Sequence, residues 1–377
     1  MMRIGTFLAA VLLLASCASG NKKVESAFFP PLPQQPKLQF LLSVTSEEDI
    51  GKKTSGLRDF LIGKQPDMKR IARLHDIAAI KGKIYVLDRS YKKILIIDLV
   101  KKEFDFIKDE REGALGDPIG LWVTEDDIKF VADAQRKQIV VFDRDNKFLR
   151  AYGEKGQFDK PIDVAVHNNR IYVPNFSKHT VVVLDRETGK TVQIIGEPGV
   201  KEGMLNRPTH IDVDREGNIY VNDSFNFRIQ KFDSQGKFVK AFGYQGDTLG
   251  SFARPKGIAL DREGHLYAVD AAFENVQIFD ENTTELLLFF GGYGPHAGSM
   301  YLPSGIYIDY ANVDYFKSFV DKDFKLKYLV YVGNLLGDKK MNIYGFGEWI
   351  GRPLPEVERK PIPAEPPQKN DAREEKK

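Results

Sequence analysis

Residues 208–243 read PTHIDVDREGNIYVNDSFNFRIQKFDSQGKFVKAFG, and stretches of the same design recur about every 45 residues along the chain. The six units open at Asp76, Pro118, Pro161, Pro208, Pro255 and Pro303. The first lacks the opening proline, and the last carries an insertion before its second strand. A period of this length is typical of repeat architectures in which each unit is one supersecondary element.

Each unit is patterned as four short strands. Apolar residues alternate with polar ones, as at Ile219 and Val221, which is the period of a half-buried strand rather than of a helix. Turn clusters such as Asp214 to Gly217 separate the strands, because Asp bonds nearby backbone groups and Gly accepts a positive φ. Antiparallel four-stranded units at this period predict an all-β fold, a six-bladed β-propeller.

The amino-acid sequence of the repeat also resembles that of a known family. The repeat resembles NHL-repeat propellers in three successive motifs: Pro-x-x-Ile, Ile-Tyr-Val-x-Asp, and the segment from Asn226 to Asp233. The literal Asn-His-Leu signature is absent. The resemblance covers roughly Leu74 to Trp349. Tyr310 and the segment from Asn342 to Phe346 are similar to six-bladed NHL lipoproteins of bacterial envelopes. This resemblance implies the ring fold, while NHL propellers serve as binding platforms, lyases or RNA readers.

The sixth unit lacks an outer strand. Its strands near Gly305 to Asp309, Tyr328 to Val332 and Asn342 to Phe346 are followed directly by a proline-rich segment. Upstream of the first unit, Leu38 to Val44 (LQFLLSV) has the pattern of an outer strand. We predict that this clasp strand pairs with Asn342 to Phe346 and completes the last blade, because an unpaired sheet edge is a liability.

The first residues have the pattern of a secretory signal, residues 1–16, since the apolar run is too short to span a bilayer. It ends in Leu14-Ala15-Ser16-Cys17, which resembles a bacterial lipobox, and that resemblance implies lipidation of Cys17 and a membrane anchor. Ala18 favours the outer membrane by the sorting rule of such lipoproteins. The alternative is an ordinary signal peptide with a chance cysteine.

The remaining boundaries follow from composition. Residues 17–37 are expected to form the lipidated cysteine and a proline-bearing linker, residues 38–350 the propeller with a helical insertion at 46–63, and residues 351–377 a disordered tail. Phe28 and Phe29 within the linker are expected either to dock on the ring or to contact a partner. Cys17 is the only cysteine, which excludes disulfides and a Cys-ligated zinc site within the chain.

The net charge of +2 gives the whole molecule no strong field, so nucleic acid is not an expected partner. Loops that enter the inner strands carry basic residues, and we expect these to form the partner face: Lys160, Arg207, Arg254 and Lys256. A solvated basic rim is the plain alternative. Export argues against the RNA platform that such residues form in cytoplasmic NHL proteins.

Two sets of polar positions are candidates for chemistry. The second strands end in Asp88, Asp133, Asn175, Asp223, Asp270 and Asn334, which we expect to accept backbone N–H groups in the following turns. The residues just before the inner strands are expected around the mouth of the central channel: Asp76, Gly120, Asp163, His210, Gly257 and Gly305. The glycines are expected to open the mouth. Asp76, Asp163 and His210 form either a metal site or the polar lining of a wet, non-catalytic channel.

The sequence contains no convincing catalytic triad, phosphate loop or HExxH motif. We therefore expect a lipid-anchored module of the bacterial envelope that binds a protein or glycan partner, as a monomeric ring without cofactor or catalytic residues. The alternative is a metal-dependent propeller lyase or lactonase, and a third possibility is a structural spacer.

Overall fold

The computed structural model describes residues 27–51, 69–108 and 111–354. Their strands form six sheets, five of four strands and one of five, arranged as a six-bladed propeller. The one α-helix among the described residues is short, Val313–Phe316. The predicted all-β, six-bladed fold is confirmed.

Strands β1 (Phe28–Phe29) and β2 (Leu38–Val44) precede the repeats. Blade 1 contains β3 (Leu74–Ile80), β4 (Lys83–Asp88), β5 (Lys93–Asp98) and β6 (Glu103–Phe106). Blade 2 contains β7 (Pro118–Val123), β8 (Lys129–Asp133), β9 (Gln138–Phe142) and β10 (Phe148–Tyr152). Blade 3 contains β11 (Ala165–His167), β12 (Arg170–Asn175), β13 (Thr180–Asp185) and β14 (Thr191–Ile195). Blade 4 contains β15 (Ile211–Val213), β16 (Ile219–Asp223), β17 (Arg228–Phe232) and β18 (Phe238–Phe242). Blade 5 contains β19 (Pro255–Leu260), β20 (His265–Asp270), β21 (Asn275–Asp280) and β22 (Leu286–Gly291). Blade 6 contains β23 (Pro303–Asp309), β24 (Phe324–Asn334) and β25 (Met341–Trp349), to which β2 and β1 are added.

The hydrophobic core is divided among the six interfaces between neighbouring blades. Each interface is filled by one apolar cluster, and the cluster between blades 6 and 1 closes the ring. Every cluster contains the aromatic residue that lies three positions before the end of a second strand: Tyr85, Phe130, Tyr172, Tyr220, Tyr267 and Tyr331. These aromatic residues fill the space between neighbouring blades.

The clasp strand β2 seals the ring as the sequence predicts. It pairs antiparallel with β25, from Leu38 opposite Phe346 to Val44 opposite Met341, with one irregularity between Phe40 and Leu42. The pairing continues further toward the N-terminus, because β1 pairs with β2. The ring of Phe28 lies 5.7 Å from that of Trp349, and this apolar contact holds the segment on the edge of blade 6.

The two insertions are described in part. Before blade 1, a 3₁₀ helix covers Glu47–Ile50, while residues 52–68 lie outside the described residues. In blade 6 the helix Val313–Phe316 buries Phe316 beside Tyr331, with ring centroids 6.4 Å apart. Cys17, the signal segment and most of the C-terminal tail also lie outside the described residues.

Candidate functional site

The inner strands all begin at one face of the ring, which we call the upper face. The residue that ends each second strand fixes the loop that leads into the inner strand of its own blade. In blade 5, Asp270 accepts the N–H groups of Ala253 and Arg254 at 2.8 and 2.9 Å, and those of Ala272 and Phe273 in the following turn. Equivalent loop contacts are made by Asp88, Asp133, Asn175, Asp223 and Asn334. The predicted role in the following turn is confirmed for Asp88, Asp133 and Asp270. Among the described residues, Asn175, Asp223 and Asn334 accept backbone N–H groups only from the loop that leads into the inner strand, so the predicted turn role is wrong for these three. All six side chains hold the upper-face loops in place.

Two of the predicted channel-mouth residues bridge neighbouring blades. Asp76 accepts the N–H of Leu121 in blade 2 at 2.7 Å, and Asp163 accepts the N–H of Ile211 in blade 4 at 3.1 Å. The second oxygen of each carboxylate accepts the N–H of the following residue in its own chain segment. Both carboxylates therefore connect inner strands, and their oxygens are already engaged.

Asp212 repeats this arrangement between blades 4 and 5, and sequence reasoning missed it. Its carboxylate accepts the N–H groups of Val213 at 2.8 Å and Leu260 at 2.9 Å. Burial raises the pKa of Asp212 to about 7. Burial also raises the pKa of both Asp76 and Asp163, and the Asp76 charge raises that of Asp163 further. The available signal was an aspartate within an apolar inner strand.

The three glycines are points of close approach between blades. A Cβ on Gly120 would lie 2.5 Å from the Cα of Asp163, and one on Gly257 would lie 2.4 Å from the carbonyl oxygen of Ser304. A Cβ on Gly305 would lie 2.9 Å from the Cα of Asp76. The space that these positions leave is occupied by the neighbouring inner strand, so glycine is needed for packing here.

His210 and His75 lie at the upper end of the channel. His210 is buried, and its Nδ1 is 3.1 Å from the hydroxyl of Thr209. Burial lowers its pKa well below the usual value, and the charge of Lys256 lowers it further. Burial also lowers the pKa of His75 to about 4, with Arg89 the next cause. Both imidazoles are therefore neutral near pH 7. His75 lies one position before the repeat position that His210 occupies, so the repeat pattern does not predict that the two histidines lie at the same mouth.

A cation–aromatic cluster occupies the upper face of blades 3 and 4. The Arg207 guanidinium lies 4.8 Å from the ring centroid of Phe225 and 5.5 Å from that of Phe176. The Lys160 ammonium lies 5.0 Å from the Phe176 ring. Short 3₁₀ helices after the second strands place both rings, and Phe225 remains 49% exposed. The two phenylalanines were missed because their convergence depends on the angle between blades.

The four predicted partner-face cations lie on the upper face of blades 3 to 5: Lys160, Arg207, Arg254 and Lys256. Their charged groups make no ion pair within the part of the chain that the structure describes. Two other cations of the same face are neutralised, since Arg89 pairs with Asp117 at 2.7 Å and Lys137 with Asp159 at 3.0 Å. The four predicted cations thus carry charge without a carboxylate partner among the described residues.

The mouth does not fit a metal ion. In residues 27–51, 69–108 and 111–354, no group of three His, Cys, Asp or Glu side chains is placed to hold one. The oxygens of Asp76 and Asp163 accept hydrogen bonds from backbone donors, and Nδ1 of His210 contacts Thr209.

No helix in the described ranges has the length and hydropathy needed to cross a bilayer.

No family model and no curated protein matches the sequence. Solved structures share the fold. A protein of unknown function from Bacteroides thetaiotaomicron has a TM-score of 0.54 at 14% identity, covering 73% of this chain and 70% of its own. A gluconolactonase from Xanthomonas campestris has a TM-score of 0.54 at 14% identity, covering 85% and 95%. Virginiamycin B lyase from Staphylococcus aureus has a TM-score of 0.50 at 12% identity, covering 86% and 96%. At these identities the likeness shows the propeller fold alone.

Proposed function

We propose that the protein is a lipid-anchored, non-catalytic module of the bacterial envelope that binds a protein or glycan partner on the upper face of blades 3 to 5. The observation that carries the proposal is the set of four cations that lack carboxylate partners among the described residues. Like charges gathered on one face repel each other and oppose folding. Their retention without counter-charges is typical of a surface that meets acceptor groups on a partner.

The aromatic residues beside these cations support the same conclusion. Arginine and large aromatic side chains dominate the energetics of protein interfaces, and here Arg207 lies against two phenylalanine rings. Phe225 and Arg207 are both exposed. Because the loops are held by Asp and Asn side chains, ordering them on binding costs little entropy.

The anchor is the second part of the proposal, and it rests on the lipobox-like sequence around Cys17. Phe28 and Phe29 pair with β2, so nine residues, 18–26, separate Cys17 from the part of the chain held on the ring. Nine residues of any conformation span at most about 30 Å, so the ring would stay close to the membrane. Mass spectrometry of the native protein tests this part: an acylated N-terminal Cys17 supports it, and a free thiol overturns it.

The partner face is tested by crosslinking in intact cells. A photoreactive amino acid replaces Arg207, and a matched control replaces Arg215, an exposed arginine in the turn between β15 and β16 on the opposite face. We expect position 207 to capture one defined species that position 215 does not. Equal capture at both positions, or none at 207, would contradict the proposed surface.

The alternative function is a lyase or lactonase. Two neutral imidazoles at the channel mouth favour this alternative, because a neutral histidine is a suitable general base. Two propellers of similar fold, a gluconolactonase and a virginiamycin B lyase, also favour it. A metal-dependent form requires ligands that this mouth does not offer. Activity assays of the purified protein on lactones separate the enzyme from the binding module: turnover that is lost in His210→Ala supports the enzyme, and no turnover supports the module.

A further inference from the structure

The ammonium group of Lys256 lies in an unusual environment. Lys256 is the second residue of β19, and it is half-buried at the channel mouth. Its Nζ has no hydrogen bond or ion pair within residues 27–51, 69–108 and 111–354. Burial and the nearby Arg254 lower its pKa. A partly buried charge without a counter-charge is destabilising, so the fold gains nothing from this ammonium in its present state.

The backbone holds Lys256 beside the two histidines. Asn222 donates its side-chain N–H to the Lys256 carbonyl at 2.6 Å, and its backbone N–H to the His210 carbonyl at 2.9 Å. On the other side, Gly257 packs against Ser304, whose hydroxyl donates to the His75 carbonyl at 3.2 Å. A continuous set of contacts thus joins His210, Lys256 and His75 around the mouth.

One arrangement of the hydrogen bonds around Thr209 places the proton of His210 on Nε2. Thr209 Oγ accepts from Asn222 at 3.1 Å and lies 2.5 Å from the hydroxyl of Ser224. When Ser224 donates to Thr209, the Thr209 proton is free to reach Nδ1 of His210. Every hydroxyl is then satisfied, and Nε2 of His210 is the nitrogen that bears hydrogen. That N–H has no acceptor in the described part of the chain.

His75 adds a second unmatched group. Its Nδ1 is buried and has no hydrogen bond of good geometry among the described residues, although the backbone of Ile119 lies close enough to raise the pKa of the imidazole. Buried polar atoms without a partner are rare in native proteins, and they mark places where a missing group belongs. Lys256, His210 and His75 therefore form a site with an unneutralised charge and unmet hydrogen-bonding capacity.

We propose that the channel mouth binds an oxyanion, a carboxylate or phosphate group, held by the Lys256 ammonium and the Nε2–H of His210. The inference rests on the proposed function and deepens it, because it identifies the chemical group of the partner that the ring recognises. An oxyanion supplies a negative counter-charge for the Lys256 ammonium. Its oxygens also accept hydrogen bonds from the ammonium and from the Nε2–H of His210. No covalent step is involved.

The test is calorimetric titration of the full-length protein with D-glucuronate and with inorganic phosphate, using a neutral methyl glucoside for comparison. We expect at least one oxyanion to bind and the neutral sugar not to bind. In Lys256→Met the affinity should fall at least tenfold. The matched control Lys237→Met changes an exposed lysine on the opposite face and should stay within twofold of the wild type.

Thermal unfolding gives an independent readout. Because Lys256→Met removes a charge that the fold does not neutralise, the variant should melt about 2 °C higher than the wild type while binding more weakly. A lower melting temperature would show that the ammonium is structural, and this would overturn the proposal. Failure of both oxyanions to bind the wild type would also overturn it.

The two proposals fail separately. If position 207 captures a partner in cells but neither oxyanion binds, the partner face stands and the oxyanion site is wrong. If an oxyanion binds through Lys256 but position 207 captures nothing, the site stands and the partner face is wrong.

Discussion

The carboxylate of Asp163 in blade 3 accepts the backbone N–H of Ile211 in blade 4 at 3.1 Å. Its other oxygen accepts the N–H of Val164 at 2.8 Å, so one side chain satisfies donors in two neighbouring inner strands. Asp76 and Asp212 make the same connection elsewhere in the ring.

Asp163→Ala should destabilise the ring. The substitution leaves the buried N–H of Ile211 without an acceptor, which costs about 2 kcal/mol. Urea denaturation at pH 7 measures the change. Asp145→Ala, at an exposed turn position, is the matched control and should have little effect. Equal stability of the Asp163 variant and the wild type would show that the bridge contributes nothing.

Stability should depend on pH through Asp212. Its pKa is about 7 in the folded protein against an ordinary value of 3.8, so between these values the folded state binds a proton that the unfolded state has lost. The contribution of Asp212 is therefore full below about pH 4 and is lost as the pH rises through about 7. Asp212→Asn does not titrate.

Comparison of the two proteins isolates this residue. From pH 5 to pH 8 the free energy of unfolding of the wild type should fall by about 2 to 3 kcal/mol relative to Asp212→Asn. Urea denaturation at both pH values gives the difference. A constant difference would contradict a raised pKa for this carboxyl.

Phe40→Ala tests the clasp strand. Phe40 is buried between blades 5 and 6, and its ring lies 5.6 Å from that of Tyr344. Truncation should cost about 3 to 4 kcal/mol, because a large cavity opens at the ring closure. Leu32→Ala, which changes a 46% exposed residue in the same N-terminal segment, should stay close to the wild type. Similar melting temperatures for the two variants would mean that the clasp does not stabilise the ring.

Oxyanion binding at the mouth should strengthen as the pH falls. The pKa of His75 is lowered by burial, Arg89, Lys256 and Arg73, and that of His210 by burial and then Lys256 and His75. A bound anion offsets the positive charges, raises both histidine pKa values and so favours proton uptake.

D-glucuronate is the suitable ligand, because a carboxylate stays ionised above about pH 5. Its affinity should be roughly threefold to tenfold higher at pH 5.5 than at pH 7.5. In His210→Gln the pH dependence should be smaller. Binding that weakens toward acid pH would contradict the arrangement.

The sequence predicts the parts of this structure that are local or that repeat. Alternation and turn chemistry predict six units, and the pattern of Leu38 to Val44 predicts the clasp. The Asp and Asn residues at second-strand ends act within their own blades, so a single repeat suffices to assign them. Asp212, by contrast, bonds a donor in the next blade.

The candidate site was predicted only in part, because it depends on how neighbouring blades are placed. Arg207 and Lys160 could be chosen from their loop positions, whereas Phe176 and Phe225 meet them only in the folded ring. The glycines also depend on this placement. From sequence, Gly120 indicates open space at the mouth, but its lack of a side chain is what allows Asp163 of the next blade to approach.

Hydrogen–deuterium exchange, compared between the protein in its native envelope and the purified protein, tests the central claim most directly. The account predicts slower exchange in the envelope for the upper-face loops 199–210 and 246–257, and unchanged exchange for the lower-face turns 214–217 and 261–264. Protection confined to the lower-face turns, or identical exchange in both preparations, would contradict the claim that the upper face of blades 3 to 5 holds a partner.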